Sequence, residues 1–108
     1  MSIEKALIEA IMKVYQSKGV GKFFSINFLE ETDGQFVFEV CFPSDCLNPQ
    51  GNVQGGMITS VLDDCTALCV LFSTKGKRFP NTTDFHTTFH RPLSLEPATI
   101  KASILKIG

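Results

Sequence analysis

Apolar residues Ile3, Ala6, Leu7, Ala10, Ile11 and Val14 recur at helical spacing. They predict an amphipathic helix over residues 2–18, with Ser2 as N-cap and Gly19 and Gly21 as its stop. The pattern then changes. KFFSINFLEE (22–31) and QFVFEVCF (35–42) are rich in aromatic and β-branched residues and read as strands. Between them ETDGQ supplies the Asp-Gly turn of a hairpin. Residues 43–53, built of Pro, Ser, Asp, Asn and Gly, read as a loop. A long apolar helix follows from about Gly55 to Ser73, and TKGKR (74–78) then makes an exposed turn.

From about Asn81 to His90 the chain alternates. Thr83, Phe85, Thr87 and Phe89 fall on one strand face; Thr82, Asp84, His86, Thr88 and His90 fall on the other. RPLSLEP turns the chain into a last strand, ATIKASILKI. The order of elements predicts a single α+β domain over 1–108, an antiparallel sheet around a buried helix. A chain ending on an apolar strand implies an exposed sheet edge or a missing partner strand.

Composition narrows the functional classes. With 108 residues, 44% hydrophobic, the chain is long enough for one packed core. A net charge of −1 provides no polyanion-binding field, which excludes nucleic acid as the expected partner. Early acidic residues argue against a signal peptide, and no run of eighteen apolar residues spans a membrane, so a cytoplasmic location is expected. Cys41, Cys46, Cys65 and Cys69 have C-x4-C and C-x3-C spacings, unlike zinc knuckles. Cys65 and Cys69, one turn apart on an apolar face, read as small hydrophobes.

The long helix contains no Lys, Arg or Glu; its only charges are Asp63 and Asp64. At 100° per residue Val61, Cys65, Leu68 and Phe72 share a broad apolar face with Asp64 at its margin. Asp63 lies nearly opposite, among Thr59, Thr66, Ala67 and Val70. A helix without charge on either side is generally covered on both. The second face is therefore expected to pack on another layer, a ligand or a second subunit. A carboxylate there needs a partner or has a chemical task. At the head of the helix, Gly55 and Gly56 offer backbone N–H groups to a substrate oxygen. The combination points to carbonyl chemistry or carbonyl binding.

These residues resemble the hotdog-fold thioesterases, and among them the PaaI-like acyl-CoA thioesterases. The family pattern of Asn, two residues, Gly, two residues, His-Gly-Gly, then six residues to Asp is matched by Asn48, Gly51, Gln54, Gly55, Gly56 and Asp63. TTDFHTTFHRP (82–92) resembles the long strand that follows, and the resemblance runs from about Lys22 to Gly108. It implies a thioester hydrolase with Asp63 as general base or nucleophile. The Gly55 amide and the Asn48 side chain would polarise the carbonyl, and Thr82 would orient water. Gln54, Gly56, Asp64 and Arg91 are expected on the substrate-binding side.

The resemblance further implies an acyl-CoA substrate, no cofactor beyond the coenzyme A of that substrate, and a site at the interface of a homodimer or dimer of dimers. Gln54 departs from the family's His but keeps a hydrogen-bonding side chain. Hotdog domains normally continue by one further hairpin, so the last strands are expected to be lacking here. A noncatalytic hotdog module that binds acyl-CoA is the second reading, and a dehydratase, which needs a His near the helix, the third.

Other groups carry plainer readings. His86 and His90, four residues apart on a strand, stand roughly 13 Å apart, too far to share a metal ion unaided. Phe side chains at strand positions read as core before acyl tunnel. Lys75, Lys77 and Arg78 read as a solvated turn, although they and Arg91 have the charge to meet coenzyme A phosphates.

Overall fold

The computed structural model describes residues 5–78 and 91–105. The strand expected over 81–90, with Thr82, Asp84, His86 and His90, lies outside the described residues. Two helices open the described chain, α1 (Lys5–Gln16) and α2 (Gly19–Phe24). Strands β1 (Ile26–Thr32) and β2 (Gln35–Val40) follow, then a short 3-10 turn at Ser44–Cys46. The long helix α3 (Gly55–Ser73) and strand β3 (Ala98–Ser103) complete the described elements. The sheet order is β1-β2-β3, antiparallel throughout, with Ile26 opposite Val40 and Val40 opposite Ala98. The architecture is α+β, a sheet packed on one long helix.

The β1–β2 hairpin forms where the Asp-Gly pair predicts it. Asp33 and Gly34 both have positive φ, 51° and 80°, and Thr32 pairs with Gln35. Such a two-residue turn matches the right-handed twist of the strands it joins. Behind the sheet, Val61, Cys65, Leu68, Cys69 and Phe72 of α3 are buried against Ile26, Phe36, Phe38 and Val40. Phe72 sits in an aromatic nest: its ring centroid lies 5.3 Å from Phe28, 5.6 Å from Phe36 and 6.1 Å from Phe38. By length and composition α3 is apolar enough to cross a membrane. Its apolar face is instead occupied by the sheet, as in the core helix of a globular domain.

Two expectations about the N-terminal third are corrected. Lys22, Phe23 and Phe24, read as the start of a strand, belong to α2, and Gly21 lies inside that helix instead of ending α1. Val20, Phe23 and Phe24 have i, i+3, i+4 spacing, a helical signal that the aromatic density masked. Gly19 turns the chain between α1 and α2 at φ +69°, and Ser25, at φ 53° and ψ 60°, turns it into β1. Gly21 is required by packing. A Cβ there would lie 2.3 Å from the Tyr15 carbonyl oxygen and 2.6 Å from its ring.

The buried line of α1 also differs from the residues that carried its periodicity. Ile8 and Met12 are buried, with Ile11 and Tyr15 packed beside them, whereas Ala6, Ala10 and Val14 are exposed. The helix has apolar residues over a wider arc than its neighbours cover. The face that meets α3 is the one bearing Tyr15, whose hydroxyl finds an acceptor there.

Candidate functional site

The loop before α3 is built around Asn48. Its side-chain Oδ1 accepts from the backbone N–H groups of Gln50 (3.0 Å) and Asn52 (3.1 Å). Its own N–H donates to the Asn52 carbonyl at 2.7 Å. Gly51 completes the turn at φ +83°. With Oδ1 spent on the loop, the amide Nδ2 is the part of Asn48 left to donate outward. The Gln54 N–H donates to the Cys46 carbonyl (2.8 Å), and the Val53 N–H donates to the Leu93 carbonyl (2.8 Å). That second bond draws the segment of exposed Arg91 alongside the loop.

Gln54 is the N-cap of α3. Its backbone is extended, and its side-chain Oε1 accepts from the Met57 N–H at 3.0 Å. This satisfies one of the N–H groups a helix start leaves open. Among the described residues nothing accepts from the Gly55 or Gly56 N–H. The two amides sit at the positive end of the 19-residue α3. Gly55 is half-buried and Gly56 exposed.

Two turns along, Asp63 and Asp64 enter a cleft of about 620 Å³ between α2 and α3. Its other walls include Val20, Phe23 and Phe24 of α2 and Met57 and Ser60 of α3. Both carboxylates are half-buried. They are not equivalent. Asp64 accepts a short hydrogen bond from the Tyr15 hydroxyl. Burial raises the Asp64 pKa, the Tyr15 hydrogen bond opposes that rise, and the charge of Asp63 adds to it. Burial, then the contact with Asp64, also raises the Tyr15 pKa, so the phenol stays protonated and remains the donor.

The half of α3 around Asp63, with Thr59, Ala67 and Val70 half-buried and Thr66 exposed, is only partly covered by the described residues. The Thr59 hydroxyl donates to the Gly55 carbonyl (3.0 Å) and the Thr66 hydroxyl to the Asp63 carbonyl (2.8 Å). Those polar side chains are thereby turned onto their own helix.

Cys46, Cys65 and Cys69 are packing groups of the core. Cys65 and Cys69 are 0% and 1% exposed, and burial above all pushes their thiols up to about 12 and about 11. Thiols held so far above neutral pH supply almost no nucleophilic thiolate.

The predicted site residues thus fall into two groups. Asn48, Gln54, Gly55 and Gly56 form the loop and helix head, with the Arg91 segment beside them; Asp63 and Asp64 share the cleft. Thr82 lies outside the described residues. Within one chain, eight residues of helix separate Gly55 from Asp63, roughly 12 Å along the axis. Sequence reasoning missed the cleft's second wall, α2, and the Tyr15 contact. The i, i+3, i+4 spacing of Val20, Phe23 and Phe24 was the available signal for the wall.

The family model of the thioesterase superfamily matches residues 50–108, more than half of the chain. The chain belongs to the thioesterase superfamily. Solved structures place this thioesterase-superfamily chain in the hotdog fold. A phenylacetic acid degradation-related protein from Ralstonia eutropha JMP134 superposes with a TM-score of 0.80 at 22% identity, over 94% of this chain and 80% of that one. The E. coli PaaI protein of the phenylacetic acid degradation operon gives 0.77 at 18% identity, over 99% and 76%. Thioesterase superfamily member 2 from Mus musculus gives 0.76 at 21% identity, over 100% and 78%. No curated protein sequence matches the chain.

Proposed function

We propose that the protein hydrolyses acyl-CoA thioesters, with Asp63 as general base or nucleophile. The observation that carries this reading is a half-buried carboxylate on the wall of a largely apolar cleft, in a chain of the thioesterase superfamily. Asp63 attacks the thioester carbonyl or activates water for that attack. The Gly55 N–H and the Asn48 Nδ2 stabilise the negative charge that grows on the carbonyl oxygen. Asp64 orders the carboxylate end of the cleft, while Gln54 and Gly56 shape the helix head. Thr82 orients water, and Arg91 meets a phosphate of coenzyme A.

A carbonyl carbon and its oxygen cannot bridge the roughly 12 Å between Gly55 and Asp63 of one chain. The active unit is therefore a homodimer, alone or paired into a dimer of dimers, in which the Gly55 end of one protomer faces Asp63 of its partner. This also accounts for the small, uncharged face of α3 around Asp63.

Thiol release from a panel of acyl-CoAs tests the reading. Wild type releases thiol and Asp63→Asn does not. If Asp63→Asn keeps the full rate while Asp64→Asn loses it, the base is Asp64. Mixing inactive Asn48→Ala chains with inactive Asp63→Asn chains restores activity in heterodimers; a mixture that stays inactive places both halves in one protomer.

A further inference from the structure

We infer that α2 is the acyl-recognition wall of this site, selecting thioesters with a neutral carbonyl end and an apolar chain of several carbons. The inference rests on the thioesterase reading and deepens it by naming the substrate class. Val20 is 48% exposed and Phe23 is 43% exposed, and both border the cleft that Asp63 lines. Val20 and Phe23 thus form an exposed apolar patch on the wall of the cleft, a lining suited to an apolar group of a ligand.

The wall is built, not loose. Phe24 is 3% exposed and meets Phe42 edge-on, with centroids 5.8 Å apart. Phe23 in turn meets Phe24 edge-on at 5.1 Å. Gly21 lets α2 lie directly against Tyr15, where any Cβ would collide. The same Tyr15 holds Asp64 on α3. One tyrosine therefore sets both the apolar wall and the carboxylate end.

The chemistry of the cleft is graded along α3. Met57, Ser60 and Asp63 follow one another at three-residue intervals, so Met57 stands roughly 9 Å from Asp63 along the axis. The end holding Asp63 and Asp64 repels an anionic head group such as a free fatty acid and admits a neutral thioester carbonyl. Toward Met57, Val20 and Phe23 the lining favours methylenes. An acetyl group leaves that stretch unfilled, whereas an octanoyl chain covers it.

The test compares octanoyl-CoA with acetyl-CoA on the full chain. In Phe23→Ser, which removes apolar wall, and in Val20→Trp, which fills the cleft, the octanoyl-to-acetyl ratio of kcat/KM falls roughly tenfold. Both positions are half-exposed, and circular dichroism checks that the variants fold. Titration calorimetry with the nonhydrolysable thioethers S-octyl-CoA and S-ethyl-CoA gives the same comparison without turnover, and the octyl preference falls in both variants. Ratios unchanged in both variants overturn the inference. Should wild type hydrolyse no acyl-CoA, the thioesterase reading fails, and the thioether ratios alone decide whether α2 reads the chain.

Discussion

The Tyr15 hydroxyl of α1 donates to the Asp64 carboxylate of α3 across 49 residues of sequence. It joins the N-terminal helix to the middle of the core helix, where Asp63 and Asp64 both line the cleft. A half-buried carboxylate without such a donor is costly. Tyr15→Phe keeps the ring against Gly21 and removes only the donor. The expected loss of stability is about 1–3 kcal/mol, measured by urea denaturation. A variant as stable as wild type shows that Asp64 is equally well satisfied without Tyr15.

The same pair predicts a pH signature. Burial holds the Asp64 carboxyl above its ordinary 3.8. The folded protein therefore gives up this proton later than the unfolded chain does. Stability from this group is fullest below the unfolded value and falls as pH rises through the folded one. Asp64→Asn still offers Tyr15 an acceptor but does not titrate. Its stability relative to wild type should improve as pH rises above 3.8; a difference that stays flat refutes the assignment.

At the alkaline end the sign is set by Tyr15, whose pKa is raised above 10.0 by burial and then by Asp64. Its contribution is present below about pH 10 and lost as pH rises beyond that. Wild type should therefore lose stability there more steeply than Tyr15→Phe, as followed by denaturation melts across that range.

Gly56 and Gln54 are coupled. A Cβ on Gly56 would stand 2.9 Å from the Gln54 Oε1 that caps the helix. Gly→Ala within a helix normally gains about 0.5–1 kcal/mol. In wild type, Gly56→Ala displaces the cap and that gain is cancelled; in a Gln54→Ala background it reappears. A double-mutant cycle by denaturation should give a coupling of at least about 0.5 kcal/mol.

Phe72 is 0% exposed at the centre of the aromatic nest. Phe72→Ala should cost about 3–5 kcal/mol, as a transfer and cavity loss, and calorimetry should show it as a lowered Tm. A loss below about 1 kcal/mol would mean that the core around Phe38 and Phe36 collapses to fill the space.

Some of this was legible residue by residue. The Asp-Gly turn declared the hairpin, because few other pairs accept two consecutive positive φ angles without strain. The run 55–73, uncharged but for Asp63 and Asp64, declared a core helix, and the spacing from Asn48 through Gly55 to Asp63 declared the family. Less legible was α2, because Phe at high local density favours a strand reading, while its i, i+3, i+4 spacing spans barely one turn. The wide apolar arc of α1 likewise did not say which face would be covered.

Local pattern settled what depends on neighbours in the chain: the Asp-Gly turn, the long core helix and the glycine pair at its head. Tertiary structure decided what depends on residues far apart. It turned Tyr15 toward Asp64, leaving Asp63 and Asp64 in different surroundings, and laid α2 against α3 to make a cleft. The physical reason is that periodicity reports which side chains share a face, while burial and hydrogen-bond partners are set only when two faces meet. Two adjacent aspartates that look alike in the sequence line the same cleft in different surroundings, because the Tyr15 phenol reaches Asp64.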